Sequence, residues 1–564
     1  MFKHHRLIAT VLLLSAVFAS SGQSAPQNDR EGVRRVLLIS IDGMHAVDFE
    51  NCVNGGTCPH LAALATHGVT YTRASASKPS DSFPGLMNIV TGGTPKTHGA
   101  FYDLAFDRSL APPTTDTGNG LLHGTCTPGV FSGTTTEYEE GVEIDQSLLN
   151  GGAPGASLTD GGFQAIDKNK LPRDPAHGCA PVYPWNFVRA NTIFGVIHAR
   201  GGRTAWSDKH AVYASVSGPT GTALPSNVDD YYSPEINSNV IALPGVTTPP
   251  TPNHPGGVSC SPVRDVSQLG SWTDSFENIQ CYDTLKVNAV LNWIKGKTHL
   301  GSGNAPVPNL FGMNFQAVSV GQKLIENGVK GGYVDNTGNP TAPMLDEIEF
   351  VDASVGQMVT ELTRQGLLKS TLIIITAKHG QSPIDPNRVV KIPANSPANL
   401  IHSYLPPSED PTGPDIGPTE DDVSLLWLAD SNSTATAVAI LESNAPADGV
   451  GEIFYGPSLT TMFNRPGLPP RGDPRTPDII VQPNVGVIYS GSRKKQAEHG
   501  GFSHDDTNVM MLVSNPDFHT AVVTTAVETA QVGPTVLAAL GLDPDDLQAV
   551  QIEGTAVLPG LFEK

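Results

Sequence analysis

Short, unbroken apolar runs that stop at polar residues constrain this chain most. Val36 to Ile41 is one such run, and it ends abruptly in Asp42-Gly43. Leu372-Ile-Ile-Ile-Thr376 is another, preceded by Leu345 to Gln365, whose apolar residues recur at helical spacing. A strand that is apolar without alternation buries both of its faces, and helices between such strands supply the cover. The same helix-then-strand reading fits Asn191 to Arg200 with Arg203 to Trp206, and Asp283 to Lys295 with Leu310 to Val318. Leu61 to His67 and Phe83 to Val90 read as further helices, and Val509 to Val513 as a strand before a helix at Val532 to Leu540. The pattern predicts an α/β fold: a sandwich of a mainly parallel sheet with helices on both faces. Ligands of such sheets bind outside the carboxyl ends of the strands. Polar residues just past the apolar runs are therefore the functional candidates.

Two stretches rich in Gly, Thr, Ser and Pro, at about residues 104–185 and 215–265, break this alternation and are expected to be loop-rich insertions. Residues 26–564 are read as one domain carrying them. Ahead of it, Lys3, His4, His5 and Arg6 precede the apolar run Leu7 to Phe18 and the small and polar residues Ala19 to Ala25. That is the layout of a signal peptide over residues 1–25, and it predicts a secreted or periplasmic protein. An uncleaved anchor is the alternative. No second apolar run reaches the roughly 20 residues that span a bilayer, so no integral membrane segment is expected after cleavage. Six cysteines suit disulfides in an oxidising compartment. Pairing of sequence neighbours gives Cys52–Cys58, Cys126–Cys179 and Cys260–Cys281, with buried free thiols as the alternative. A formal charge of −21 argues against nucleic-acid binding, which needs a basic field.

Four separated segments carry more specific information. They are Leu37-Leu-Ile-Ser-Ile-Asp42-Gly-Met, Ser82-Phe-Pro-Gly-Leu-Met-Asn-Ile-Val-Thr-Gly92, Leu372-Ile-Ile-Ile-Thr-Ala-Lys-His379-Gly380, and His499-Gly-Gly ahead of Asp506. In this order, and with the closing segment Val532 to Gly541, they resemble the alkaline phosphatase superfamily. They are most similar to its type I phosphodiesterase/nucleotide pyrophosphatase branch. The resemblance implies a hydrolase of phosphoric esters with Ser82 as nucleophile. It also implies Asp42, Ser82, His379 and His499 as metal ligands, and a small phosphate ester, diester or nucleotide-like, as substrate. Asp and His ligands suit zinc. Metal activates the nucleophile and stabilises charge on the phosphoryl and leaving oxygens.

The chain departs from that pattern at three places. Lys378 stands where the family has an Asp before the His. The stretch Asn314 to Gln322 lacks the Asp and the His, four residues apart, that complete the second metal site. Gly85 replaces an Asn three residues past the nucleophile. The implied cofactor is thus a divalent metal, one ion rather than two. Lys378 is expected to reach Ser82 Oγ or a bound phosphate and supply the missing charge. Ser82 as a helix N-cap, His379 or His499 as core histidines and Lys378 as a surface lysine are the plainer readings. Asp208, Lys209 and His210 are candidates to line the pocket. His504, Asp505 and Asp506 are candidates for a further ligand, and Tyr282-Asp283 reads as a helix N-cap. A sulfatase would need an Arg in place of Leu86. A catalytically silent binding protein fits the lost ligands.

Overall fold

The structure is a computed structural model that describes residues 32–562 except 118–120, 139–140, 142, 150–161, 239–242, 244, 261–270, 406–418 and 494. The predicted signal peptide lies outside the described residues. The apolar runs form an eight-stranded sheet: β1 Arg35–Ile41, β2 Gly68–Tyr71, β3 Thr204–Ser207, β4 Asp230–Tyr232, β5 Leu310–Phe315, β6 Thr371–Thr376, β7 Leu512–Ser514 and β8 Ala521–Val523. The spatial order is β8-β2-β7-β6-β1-β5-β3-β4. Strands β6, β1, β5, β3 and β4 run parallel, and β7 is antiparallel to both of its neighbours. β1 lies between β5 and β6, and its residues 36–41 are fully buried, as an unalternated apolar run requires.

Helices cover the sheet. α1 (Ser82–Thr91) is buried at all ten positions, and it packs with Ile193–Ala199 and Val532–Ala539. α2 (Phe276–Ile294) packs against β5 and against α4 (Ala342–Arg364), with α3 (Ala317–Lys323) beside them. Three expectations shift here. The run Leu310 to Val318 is a strand only to Phe315. Its last apolar residues open α3, a change of period that a short buried run does not reveal. α2 begins at Phe276, so Asp283 lies inside the helix and caps no end of it. Val509 to Val513 splits: Val509 pairs in a small three-stranded sheet, and Leu512 begins β7.

The sequence reading also missed a second, antiparallel sheet of Thr419–Glu420, Ser424–Leu426, Ile479–Pro483 and Val450–Tyr455. Helices Ser396–Tyr404 and Thr434–Asn444 join it in an apolar cluster of their own, which includes Ile401, Leu441 and Val481. All six cysteines pair as expected, with Cα–Cα distances of 5.3 Å for Cys52–Cys58, 6.0 Å for Cys126–Cys179 and 5.7 Å for Cys260–Cys281. Cys126–Cys179 ties together the glycine- and threonine-rich stretch, which contains the hairpin Leu104–Asp107 with Thr134–Glu137. Among the described residues no helix is long and apolar enough to cross a membrane.

Candidate active site at the carboxyl edge of the sheet

Four adjacent parallel strands deliver polar residues to one edge. β6 runs out into Lys378 and His379, and β1 into Asp42. β5 carries Asn314 one residue before its end and leads into Gln316, and β3 leads into Asp208 and Lys209. α1 brings Ser82 against them. Its N-cap is Asp81, whose carboxylate accepts from Phe83 N at 3.1 Å, so the capping role read for Ser82 belongs to its neighbour. The Ser82 hydroxyl is left to face the strand ends. Ser82 Oγ lies 3.1 Å from His379 Nε2, 3.3 Å from Asp42 Oδ2 and 3.0 Å from Lys209 Nζ.

Gly85 makes this approach possible. A Cβ added there would meet the Lys378 carbonyl oxygen at 2.3 Å, so one turn of α1 rests directly on the end of β6. The departures at 85 and 378 are therefore contacts of each other.

His379 Nδ1 lies 2.8 Å from the Gly380 carbonyl. A carbonyl only accepts, so Nδ1 carries the proton and, in the neutral ring, Nε2 presents its lone pair to Ser82. His499 stacks on His379 with ring centroids 4.1 Å apart, and its Nε2 lies 3.3 Å from Asp81 Oδ1. Burial, then His379 and the nearby lysines, hold the His499 imidazole well below its usual range. Asp42, Ser82, His379 and His499 thus lie together.

Lys378 does not do what the sequence led us to expect. Its Nζ binds Asp208 Oδ1 at 3.0 Å, sits 3.7 Å from Asp42 Oδ2, and stands 4.1 Å from the Tyr213 ring centroid. Trp206 Nε1 donates to the other Asp208 oxygen at 2.9 Å. Asp208 is therefore fixed, and it draws Lys378 away from the serine. The ammonium at Ser82 Oγ belongs to Lys209, 3.9 Å from Asp42 Oδ2. The signal for Lys209 was its place just past β3, two residues after a buried strand end. His210 instead pairs with Glu235, its Nδ1 2.5 Å from Oε1. Asp505 accepts from Ile384 N in the segment that follows β6, and Asp506 from Ser503 Oγ in its own turn.

Asn314 and Gln316 were missed as site residues because sequence reasoning registered only the absent Asp and His. Asn314 Nδ2 donates to Asp42 Oδ1 at 2.8 Å, and Gln316 Nε2 to Asp42 Oδ2 at 2.6 Å. A buried pair positions them: Lys286 Nζ donates to the Asn314 carbonyl at 2.6 Å and sits 2.9 Å from Asp283 Oδ1, while Asp283 Oδ2 accepts from Gln316 N and Ala317 N. Asp283 thus caps α3 from within α2. Burial alone would push the Asp42 carboxyl up, but Lys378, His379 and Lys209 hold it well below the usual carboxylate range.

A resident divalent cation does not fit this donor set. Both Asp42 oxygens are occupied by amide donors, and two ammonium groups stand within 4 Å of Oδ2. A metal bound there would face them at short range. Just past β5, the residue that reaches Asp42 is Gln316, a neutral amide that offers no carboxylate or imidazole. Among the described residues no group of three or more His, Cys, Asp or Glu is arranged to hold a metal. Asp42, Ser82, His379 and His499, which the family resemblance implies as ligands of a single ion, converge, and the groups around Asp42 are ammonium and amide partners.

The sheet order and the strand-end cluster define an alkaline phosphatase-like protein. Solved structures bear out the fold. Murine ectonucleotide pyrophosphatase/phosphodiesterase 5, an inactive variant in complex with AMP, is 14% identical with a TM-score of 0.51, over 91% of this chain and 96% of that one. The human ectonucleotide pyrophosphatase/phosphodiesterase 5 is 14% identical at 0.50, over 90% and 95%. Alkaline phosphatase PafA is 11% identical at 0.51, over 90% and 96%. No curated relative matches by sequence. The family model for type I phosphodiesterase/nucleotide pyrophosphatase matches residues 36–128 and 267–506, more than half of the chain. The chain belongs to the type I phosphodiesterase/nucleotide pyrophosphatase family.

Proposed function

We propose that this protein is a secreted phosphoric-ester hydrolase that uses Ser82 as its nucleophile on a small diester or nucleotide-like substrate. Residues 26–564 act as one catalytic domain carrying the two loop-rich insertions, and residues 1–25 direct export. Family and fold support the reaction class. The three disulfides fit the compartment. The AMP held by the murine neighbour is consistent with a nucleotide-like ligand.

One observation carries the reading. A serine at the first turn of a ten-residue helix has His379 Nε2 at 3.1 Å and Lys209 Nζ at 3.0 Å. A base within hydrogen-bond reach of a hydroxyl is what makes serine nucleophilic at neutral pH. The helix N-terminus favours the anion that binds there. Substrate enters past Lys209 and His499, whose side chains keep 9% and 12% of their exposure while Ser82 is fully buried.

That burial also favours a second reading, a binding protein that does not turn over. Turnover of bis(p-nitrophenyl) phosphate separates the two. The hydrolase reading expects measurable turnover that falls by roughly 10³-fold or more in Ser82→Ala. AMP binding by calorimetry with no turnover in the wild type supports the binding protein instead.

A further inference from the structure

We propose that Lys378 and Lys209 take the place of metal in this chain, so that Ser82 is activated by His379 and Lys209 with no resident cation. The inference rests on the hydrolase reading and goes beyond it by naming the source of positive charge. Three features at different strand ends agree. At β6, Lys378 occupies the position of an acidic ligand, and its Nζ is anchored 3.0 Å from Asp208 Oδ1 and 3.7 Å from Asp42 Oδ2. At β3, Lys209 Nζ donates to Ser82 Oγ at 3.0 Å, where a metal would touch the nucleophile. At β5, Asn314 and Gln316 turn their amide N–H groups onto the Asp42 carboxylate at 2.8 and 2.6 Å. The negative charge of Asp42 that a metal would neutralise is already met by two amide donors and two ammonium groups within 4 Å. The close approach of Gly85 to the Lys378 backbone sets α1 directly against the end of β6.

The chemistry balances without metal. The Ser82 Oγ proton passes to His379 Nε2 as Oγ bonds to phosphorus, and the bond from phosphorus to the leaving oxygen breaks. The leaving alkoxide takes a proton from water. Lys209 Nζ donates to Oγ throughout, lowering the energy of the developing alkoxide and then of the phosphoryl oxygens beside it. Water next attacks phosphorus from the opposite face. The bond from phosphorus to Oγ breaks, Oγ recovers its proton from His379, and the proton released by the attacking water goes to solvent. The products are an alcohol and a phosphate monoester. Lys378 touches none of the reacting atoms. It is a positioning residue that offsets Asp42 and Asp208 and leaves Lys209 directed at the serine.

The test uses the full chain purified in EDTA, with metal content by plasma mass spectrometry, zinc titration by calorimetry, and bis(p-nitrophenyl) phosphate turnover in EDTA and in added zinc. The expected result is substoichiometric metal, no saturable zinc binding, and turnover that EDTA leaves unchanged. Lys209→Met then loses roughly 10²-fold or more in turnover. Its melting temperature falls, as removal of a buried cation requires, so turnover is read on folded protein below that temperature, and Lys209→Arg, which keeps a positive charge there, retains more turnover than Lys209→Met. Turnover lost in EDTA and restored by zinc, or one tightly held metal per chain, overturns the inference while leaving the hydrolase reading standing. Unchanged turnover in Lys209→Met overturns it as well. No wild-type turnover in either condition removes the hydrolase reading, and this inference with it.

Discussion

Asp42, Asp208, Lys209 and Lys378 bring two carboxylates and two ammonium groups together in a volume almost closed to water. Charges so buried are tolerated only when each is paired, and removing one partner strands the other. We expect Lys378→Met to lower unfolding free energy by about 3–5 kcal/mol, the usual cost of breaking a buried pair. Asp208→Asn should cost a similar amount. The double variant should recover part of the sum, because each single change exposes a partner that the other removes. Urea denaturation of the four proteins measures this, and strictly additive losses would deny the coupling. Asp42 adds a pH component. Its carboxyl is held well below the ordinary range when folded, so its contribution is present above about pH 4 and lost as pH falls through the folded value.

At the scale of elements, the contact of α1 with the end of β6 decides where Ser82 sits. Gly85→Ala places a methyl 2.3 Å from the Lys378 carbonyl, which is backbone and cannot rotate aside. Overpacking of this kind costs about 1–3 kcal/mol. Here it also displaces the serine from His379, so turnover should fall far more than stability. Denaturation and kinetics on the same preparation test that pairing of effects, and a variant with native turnover would contradict it. The elements themselves were largely legible. Val36–Ile41 and Leu372–Thr376 announced central strands by apolar character without alternation, and Leu345 to Gln365 announced α4 by period. What escaped is instructive. Leu310 to Val318 changes period inside one buried apolar run, so the turn into α3 was invisible. The strands near residues 420–483 are short and form an antiparallel sheet whose pairing depends on contacts distant in sequence. At the site, Asp42, Ser82, His379 and His499 stood out because each falls in one of the four segments that resemble the family. Asn314 and Gln316 did not. An amide signals nothing until the carboxylate it serves is seen beside it. Lys209 and Lys378 could not be told apart either, since the partners that hold Lys378, Asp208 and the Tyr213 ring, come from a distant part of the chain.

Among the described residues, more carboxylates than lysines lie buried. Burial, with neighbouring acids, pushes Glu143 up to about 8 and Asp421 to about 7, and carries Asp506 to about 6. Asp422 stands well above its usual range beside Asp506. Each folded value exceeds the unfolded one, so the folded protein binds more protons. Their stabilisation is complete below the ordinary carboxylate range of about 4 and is lost as pH rises through the folded values. Asp42 opposes this only in stronger acid. The melting temperature should therefore be higher near pH 5 than near pH 9 by a few degrees, at roughly 1 °C for each kcal/mol in a chain of this length. Calorimetry across that range checks it, and a melting temperature that climbs towards pH 9 would contradict the burial argument. The claim on which the functional account turns is that Ser82 Oγ bonds to phosphorus. Acid quench of the protein during turnover of bis(p-nitrophenyl) phosphate, followed by peptide mass spectrometry, tests it directly. The account predicts a phosphoryl ester on the peptide that carries Ser82, absent from Ser82→Ala. Product release with that peptide unmodified at every quench time, and undiminished turnover in Ser82→Ala, would contradict it.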